Sequence, residues 1–411
     1  MKKIYILLDI NVVIKAIQKK KIIYFKHSKN TNFIKIIIII LLLNFMIFKN
    51  FFHIKNLFII QDIIIESKDY KKFNKLIRKS TSPFVIKMLK EIKIIRHIFV
   101  KNIESYKKKK NIIHISVSLN KNKNYKYVLL VSMYSLLLNC NNSTFVIYHI
   151  LCTPDFDEAS IIIFKSLLNK FSPKVEMIFY NMGNIFKNRK NCMYSEATYY
   201  RLMLPIILDE ERILNLDGDT LTFSDLNELY NLDFKDNYIL GFYDYSSWGV
   251  DYLGIKSKSY INAGVILLNL KKIREDKKDL LLFKLPYSKI ELKKDDQTVF
   301  NYLLYPKIGR LPSKYVTFNF EDKSDIIFYS KFLRTNISIE DMENSLKNPI
   351  IIHNVICSPK VWYNNTQYIK GAGTCSQRKN CSCRKYFDLW HNFAKQTEYY
   401  ENISKFTFVK N

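Results

Sequence analysis

The stretch Arg212-Ile213-Leu214-Asn215-Leu216-Asp217-Gly218-Asp219-Thr220 narrows the choice of fold more than any other part of this chain. Its first half is a short apolar run of the kind that forms a buried strand. The run ends at two carboxylates separated by one glycine. Strand residues alternate faces, so positions i and i+2 point the same way. Gly218 frees the backbone to turn. Asp217 and Asp219 can therefore converge at the carboxyl end of a strand, where open α/β sheets bind ligands. Two hard oxygen ligands close together suit Mg²⁺ or Mn²⁺, a cation commonly shared with substrate phosphates. The same residues also fit a polar Asp-Gly turn closing a hairpin.

The flanking sequence supplies the rest of an α/β domain. Residues 112–119 alternate and are rich in Ile, Val and Ser, which predicts a strand. A polar loop at 120–124 leads to helical periodicity over 125–138. Strand patterns at 144–151 and 174–180 enclose a helix at 157–170 with an acidic start. Residues 195–208 read as a helix, followed by the strand that carries the aspartates. This β-α-β-α-β order predicts a mostly parallel central sheet with helices on both faces. Further on, the spacing predicts a short helix at 224–230, a strand at 238–243 ending in Asp244, and an apolar run after Asn262-Ala263-Gly264. A helix opens at Asp295-Asp296-Gln297, a short strand leads into His353, and an amphipathic aromatic helix covers 386–395.

With 411 residues, 48% of them hydrophobic, the chain can bury one large domain plus additions. Nine Gly and nine Pro argue against a linker-rich protein. The net charge of +28 is uneven: residues 1–110 hold 26 Lys and Arg against 6 Asp and Glu. That excess fits an anionic membrane surface, or a general bias toward Lys, Ile and Asn; nucleic acid is not expected as a partner. Residues 36–48 form the most apolar stretch, with Asn44 its only polar residue. At thirteen residues it is shorter than the ~20 of a spanning helix. Including the lysine-flanked ends of 33–52 would make a single membrane segment, and a buried or interfacial helix fits as well. Seven scattered Cys do not form a disulfide scaffold. Cys375, Cys381 and Cys383 cluster, but their spacing does not match the usual zinc pairs.

Several polar residues fall in one order: Asn120 and Tyr125 after the first strand, then Arg201, Asp217-x-Asp219, Asp244, Asn262-Ala263-Gly264, Asp296-Gln297, and His353 with Lys360. Together with the stretches YYRLMLPIILDEERILNLDGDTLTFSDLNELYNLDF and YINAGVILLNLKKI, this resembles the family-eight retaining glycosyltransferases of GT-A fold. That group contains bacterial lipopolysaccharide galactosyl- and glucosyltransferases and glycogenin. The resemblance covers about residues 112–400. It implies a GT-A nucleotide-diphospho-sugar transferase domain at 111–355, a C-terminal segment at 356–411 that completes the donor site, and a basic N-terminal extension at 1–110.

The resemblance also implies roles. Asp217, Asp219 and His353 would hold Mn²⁺ (or Mg²⁺), which neutralises the diphosphate of a UDP-hexose. Arg201 would sit near the sugar and diphosphate, and Lys360 would grip the departing phosphate. Asn120 and Tyr125 would contact uracil and ribose. Asp244, Asn262, Asp296 and Gln297 would line the sugar pocket. The family usually has an Asp where Asn120 stands, and a glycine with Lys-Pro-Trp where this chain has Ser358-Pro359-Lys360-Val361-Trp362. The implied reaction moves galactose or glucose, with retention, to a glycan or glycolipid acceptor of lipopolysaccharide type. Retention suggests either a nucleophile, for which Gln297 is placed but chemically poor, or attack on the face from which UDP departs. The extension then implies a cytoplasmic, membrane-associated enzyme. Two other readings stay open: a non-catalytic nucleotide-sugar- or glycan-binding relative, and a basic membrane-surface protein.

Overall fold

The computed structural model describes residues 90–99, 103–120, 124–187, 195–244, 253–256, 259–287, 295–320, 323–327, 339–355, 360–363 and 384–406. The chain divides into Met1–Ile60 and Gln61–Asn411, and everything described lies in the second unit. The apolar run at 36–48, most of the basic extension and the cluster Cys375, Cys381 and Cys383 lie outside the described residues. Among the described residues no helix is long and apolar enough to cross a membrane.

An eight-stranded sheet forms the centre. Its strands are β1 (Lys93–Ile98), β2 (Asn111–Leu119), β3 (Thr144–Cys152), β4 (Val175–Asn181), β5 (Ile213–Leu216), β7 (Ile239–Tyr243), β8 (Ile261–Leu268) and β9 (Ile308–Arg310). They run in the order β1-β4-β3-β2-β5-β8-β7-β9. The central stretch β4-β3-β2-β5 is parallel, as the β-α-β reading requires. β8 runs antiparallel to both β5 and β7, so the sheet is mixed beyond the strand that carries the aspartates. Every residue of β3, β5 and β8 is buried, because both faces are covered. Their side chains alternate between two cores: Leu214, Leu216, Val265 and Leu267 face one, and Ile213, Ile266 and Leu268 the other.

The helix Tyr125–Asn139 is buried continuously from Val128 to Leu137. It is wedged between the large sheet and a second, three-stranded sheet that the sequence did not reveal. That sheet comprises β6 (Thr220–Thr222), β10 (Val316–Phe318) and β11 (Ile351–His353), in the order β10-β11-β6. β6 is its edge, and the helix supplies the missing edge partners. Ser135 Oγ accepts from Thr222 N at 3.0 Å, Asn139 Nδ2 donates to Thr222 O at 2.9 Å, and Ser132 Oγ lies 3.0 Å from Thr220 Oγ1. Hydroxyls inside an apolar helix are explained by this edge, since unpaired buried backbone groups are costly.

The predicted helix over 195–208 is instead a 3-10 helix, Glu196–Met203, followed by one α-turn, Leu204–Ile207. Pro205 has no N–H to donate back to Arg201, and Leu204 N closes onto Arg201 O in the tighter pattern. Ser195 starts the element by accepting from Ala197 N. The helix predicted at 224–230 is a single turn, Asn227–Tyr230. The helix at Asp295–Leu304 matches its expected bounds.

The sheet also begins earlier than residue 111. β1 pairs antiparallel with β4, and the short helix Ile103–Lys107 follows it. Glu176 on β4 fastens both, through His97 on β1 and Lys107 on the helix. Part of the stretch read as an extension is thus built into the sheet.

Candidate active site

Asp217 and Asp219 sit where the chain leaves one sheet for the other, between the ends of β5 and β6. Asp217 N donates to Gly264 O of β8 at 2.7 Å, which fixes the start of the turn. The register of the second sheet delivers the histidine: His353 on β11 lies opposite Thr220 on β6, one residue from Asp219. Asn354 locks that placement, since its N and Nδ2 both donate to Asp219 O at 3.0 Å. The His353 ring packs against Gly264 so tightly that a Cβ there would fall 2.0 Å from its Cε1. Only glycine allows that approach.

The ligating atoms of Asp217, Asp219 and His353 lie within 4.8 Å of one another. His353 Nε2 is 3.1 Å from Asp219 Oδ1 and 3.7 Å from Asp217 Oδ2. The opposite oxygen of each carboxylate is held by a cation: Arg201 Nη2 donates to Asp217 Oδ1 at 2.7 Å, and Lys360 Nζ to Asp219 Oδ2 at 2.9 Å. Each aspartate therefore turns one oxygen toward the imidazole. Two hard oxygens and one imidazole nitrogen around a common point fit a divalent cation such as Mn²⁺. Burial alone would raise the Asp219 carboxyl, but Lys360 and His353 outweigh it and hold the group well below the usual carboxylate range. It stays an anion at any working pH.

Arg201 is buried and makes four contacts. Besides Asp217, it donates to Ala263 O at 2.6 Å and Thr198 O at 3.2 Å, and pairs with Asp296 at 3.1 Å. Burial works against its charge, but Asp217 and Asp296 more than compensate and raise its pKa. One guanidinium thus ties the aspartate turn to the helix at 295–304.

Asp244, Asn262 and Gln297 form a closed set. Asp244 Oδ2 accepts from Asn262 Nδ2 at 3.0 Å and from Gln297 Nε2 at 2.9 Å. The Gln297 oxygen accepts from Ala263 N at 3.0 Å, and the Asn262 oxygen from Gly264 N at 2.8 Å. Tyr125 is half-buried, with its hydroxyl enclosed and accepting from Gly218 N at 3.2 Å. Burial, then Asp219 and Asp217, push its pKa far up, so it remains a neutral phenol.

All eleven residues singled out from the sequence line one cavity of about 410 Å³. Asn120 also borders an adjoining cavity of about 530 Å³, which runs past Tyr127 and Phe156 to Phe406. Sequence reasoning missed Ser118, Ser195, Ala197, Thr198 and Val355, which also line it, and Asn354, whose N and Nδ2 hold the Asp219 carbonyl. None carries a motif; Asn354 alone had a signal, its place beside His353. A second group of ligand-type side chains, His114, His149 and Glu210, lies elsewhere. There His114 Nδ1 lies 3.0 Å from His149 Nε2, with the ring centroids 5.3 Å apart and the planes 20° from parallel.

This arrangement accords with the comparisons to known proteins. The model of glycosyl transferase family 8 matches residues 114–366. The chain belongs to that family. Among curated relatives, a putative glycosyltransferase of Haemophilus influenzae is 28% identical over 183 residues, covering 43% of this chain and 51% of its own length. The glycosyltransferase GlyE of Streptococcus pneumoniae is 28% identical over 172 residues, covering 41% and 37%. The chain thus spans about half or less of the curated relatives it matches. Among solved structures, the galactosyltransferase LgtC in complex with donor and acceptor sugar analogues superimposes with a TM-score of 0.51 at 20% identity. That match covers 71% of this chain and all of LgtC. The bifunctional glycosyltransferase WbbM gives 0.54 at 16% identity, covering 72% of this chain and 52% of WbbM. At these identities the likeness establishes the fold, the α/β architecture of the GT-A enzymes.

Proposed function

We propose that the chain is a retaining hexosyltransferase that takes galactose or glucose from a UDP-sugar, uses a divalent cation, and passes the sugar to a glycan or glycolipid of lipopolysaccharide type. The observation that carries this reading is the convergence of Asp217, Asp219 and His353 in a cavity that Arg201 and Lys360 also enter. A cation bound by the three would neutralise the diphosphate and stabilise UDP as it leaves. Arg201 keeps Asp217 aimed, and Asp296 keeps Arg201 in place. The set Asp244, Asn262 and Gln297 presents fixed polar groups for sugar hydroxyls, which favours orientation over adaptation. The family of LgtC, whose structure holds donor and acceptor sugar analogues, supports donor and acceptor partners of these classes.

The geometry favours attack on the face from which UDP departs. Gln297 is tied at both ends of its amide, by Asp244 and by Ala263 N. Turning its oxygen to a sugar carbon would break the bond to Ala263 N and leave that donor unpaired. In the same-face route the acceptor oxygen bonds to the anomeric carbon as the carbon–oxygen bond to UDP breaks. The acceptor proton passes to the departing phosphate oxygen, and Lys360, which lines the same cavity, would stabilise the developing charge.

The test is UDP release from a panel of UDP-sugars, with Mn²⁺, Mg²⁺ or EDTA, followed by product stereochemistry. Turnover of UDP-galactose or UDP-glucose that stops with EDTA and gives the α-linked product is expected. No UDP release from any donor would favour a binding relative without catalysis.

A further inference from the structure

Lys360 stands on a proposed metal ligand rather than in open space. Its Nζ donates to Asp219 Oδ2 at 2.9 Å and to Asn354 O at 2.8 Å. Its side chain is one-third exposed, while Asp219 is nearly enclosed. An ammonium has three donors. Two are committed to these partners, and the charge of Asp219 is already shared with a cation before any metal arrives. A divalent ion at Asp219 Oδ1 would sit across the same carboxylate and repel Lys360. The Trp362 ring, 5.7 Å from Nζ, offers the ammonium a cavity-lining surface to move over.

Resting on the metal-dependent reading above, we propose that Lys360, besides meeting the departing phosphate, competes with the divalent cation for Asp219. In this role it lowers metal affinity in the absence of nucleotide, is displaced from Asp219 when metal binds, and turns to the diphosphate once the donor is present. The ion pair thereby couples metal loading to donor binding. A structural support for Asp219 would behave oppositely, since its loss would loosen the ligand and weaken metal binding.

The experiment measures Mn²⁺ binding by electron paramagnetic resonance, with and without UDP, for the full chain and for Lys360→Met, Lys360→Arg and Asp219→Asn. Without UDP, Lys360→Met should bind Mn²⁺ about tenfold tighter than wild type, the scale of a +1 against +2 repulsion near 5 Å under water-like screening. The gain in Mn²⁺ affinity that UDP gives the wild type should shrink by a similar factor, and Lys360→Arg should stay near wild type. Unchanged or weaker Mn²⁺ binding in a folded Lys360→Met protein would overturn the proposal while leaving the metal site intact. Absence of Mn²⁺ binding in wild type would instead remove the metal-dependent reading itself. Amine-reactive labelling of the wild type gives a readout without substitution: Lys360 should label faster when Mn²⁺ is added, and in Asp219→Asn it should label fast from the start. Labelling indifferent to Mn²⁺ would also overturn the proposal.

Discussion

At the residue scale, the aspartates owe their usefulness to what restrains them. Each has one oxygen held by a cation, so the direction of the other is set before a ligand arrives. Preorganisation of this kind avoids ordering costs at the moment of binding. Asp219→Asn should abolish Mn²⁺ binding and sugar transfer, because a neutral amide is a weak ligand for a hard cation and cannot neutralise Lys360. Asp217→Asn should lose metal and also release Arg201, so UDP-sugar affinity should fall even where metal is saturating. Calorimetric titration of UDP and of Mn²⁺ into each folded variant checks both; wild-type metal affinity in either would remove these residues from the ligand set. Gly264→Ala tests the close approach of His353. The new methyl would displace the ring, so metal affinity should drop by about the 10- to 100-fold seen when a ligand's support is lost.

At the scale of elements, the parallel half of the sheet was legible because buried strands announce themselves as apolar runs at βαβ spacing. The aspartate turn was legible because a strand stops there. The second sheet was not: its strand before His353 was read, but β6 and β10 have three residues each, too few for a period to show, and the three strands come from distant parts of the chain. The resemblance placed His353 with the aspartates, but the means, a register with Thr220, is tertiary. The 3-10 form of 196–203 was also hidden, since the apolar spacing there suits either helix. Glu176 gives a test of an element-level joint that no motif marks. It is buried on β4 between His97 and Lys107. Burial alone would raise its carboxyl, and the contacts with His97 and Lys107 outweigh burial and hold it below its ordinary value of 4.5. A depressed carboxyl stabilises the fold above its unfolded value, and that contribution is lost as pH falls through the folded one. Melting temperature should therefore decline below about pH 5, and this part of the decline should vanish in Glu176→Gln. At neutral pH the same variant should lose about 3 kcal/mol, as expected when one partner of a buried pair is removed. Chemical denaturation of the two proteins at both pH values measures it.

At the scale of the whole molecule, the question is where the catalytic unit ends and the basic extension begins. A cut after residue 110 follows the charge pattern, but it would remove β1 and the helix Ile103–Lys107, expose the edge of β4, and strip Glu176 of both its partners, His97 and Lys107. An uncovered strand edge with a buried unpaired charge invites misfolding and aggregation. A cut after residue 89 spares all of this. Protein lacking residues 1–89 should hydrolyse UDP-sugar in solution at the full-length rate, whereas protein lacking 1–110 should be poorly soluble or much less stable. The 89 residues removed hold 18 Lys and Arg against 4 Asp and Glu, and include the apolar run at 36–48. If they attach the enzyme to an anionic membrane, each basic side chain near the surface contributes about 1 kcal/mol, and salt screens it. Insertion of the apolar run would add a part that salt does not remove. Co-sedimentation with vesicles of anionic and neutral lipid, at low and high salt, separates the two. Full-length protein should sediment with anionic vesicles and the 1–89 deletion should not; release by high salt indicates surface attraction, and retention indicates insertion. Equal sedimentation of both proteins, or loss of UDP-sugar hydrolysis in a folded 1–89 deletion, would place these residues in the catalytic unit instead.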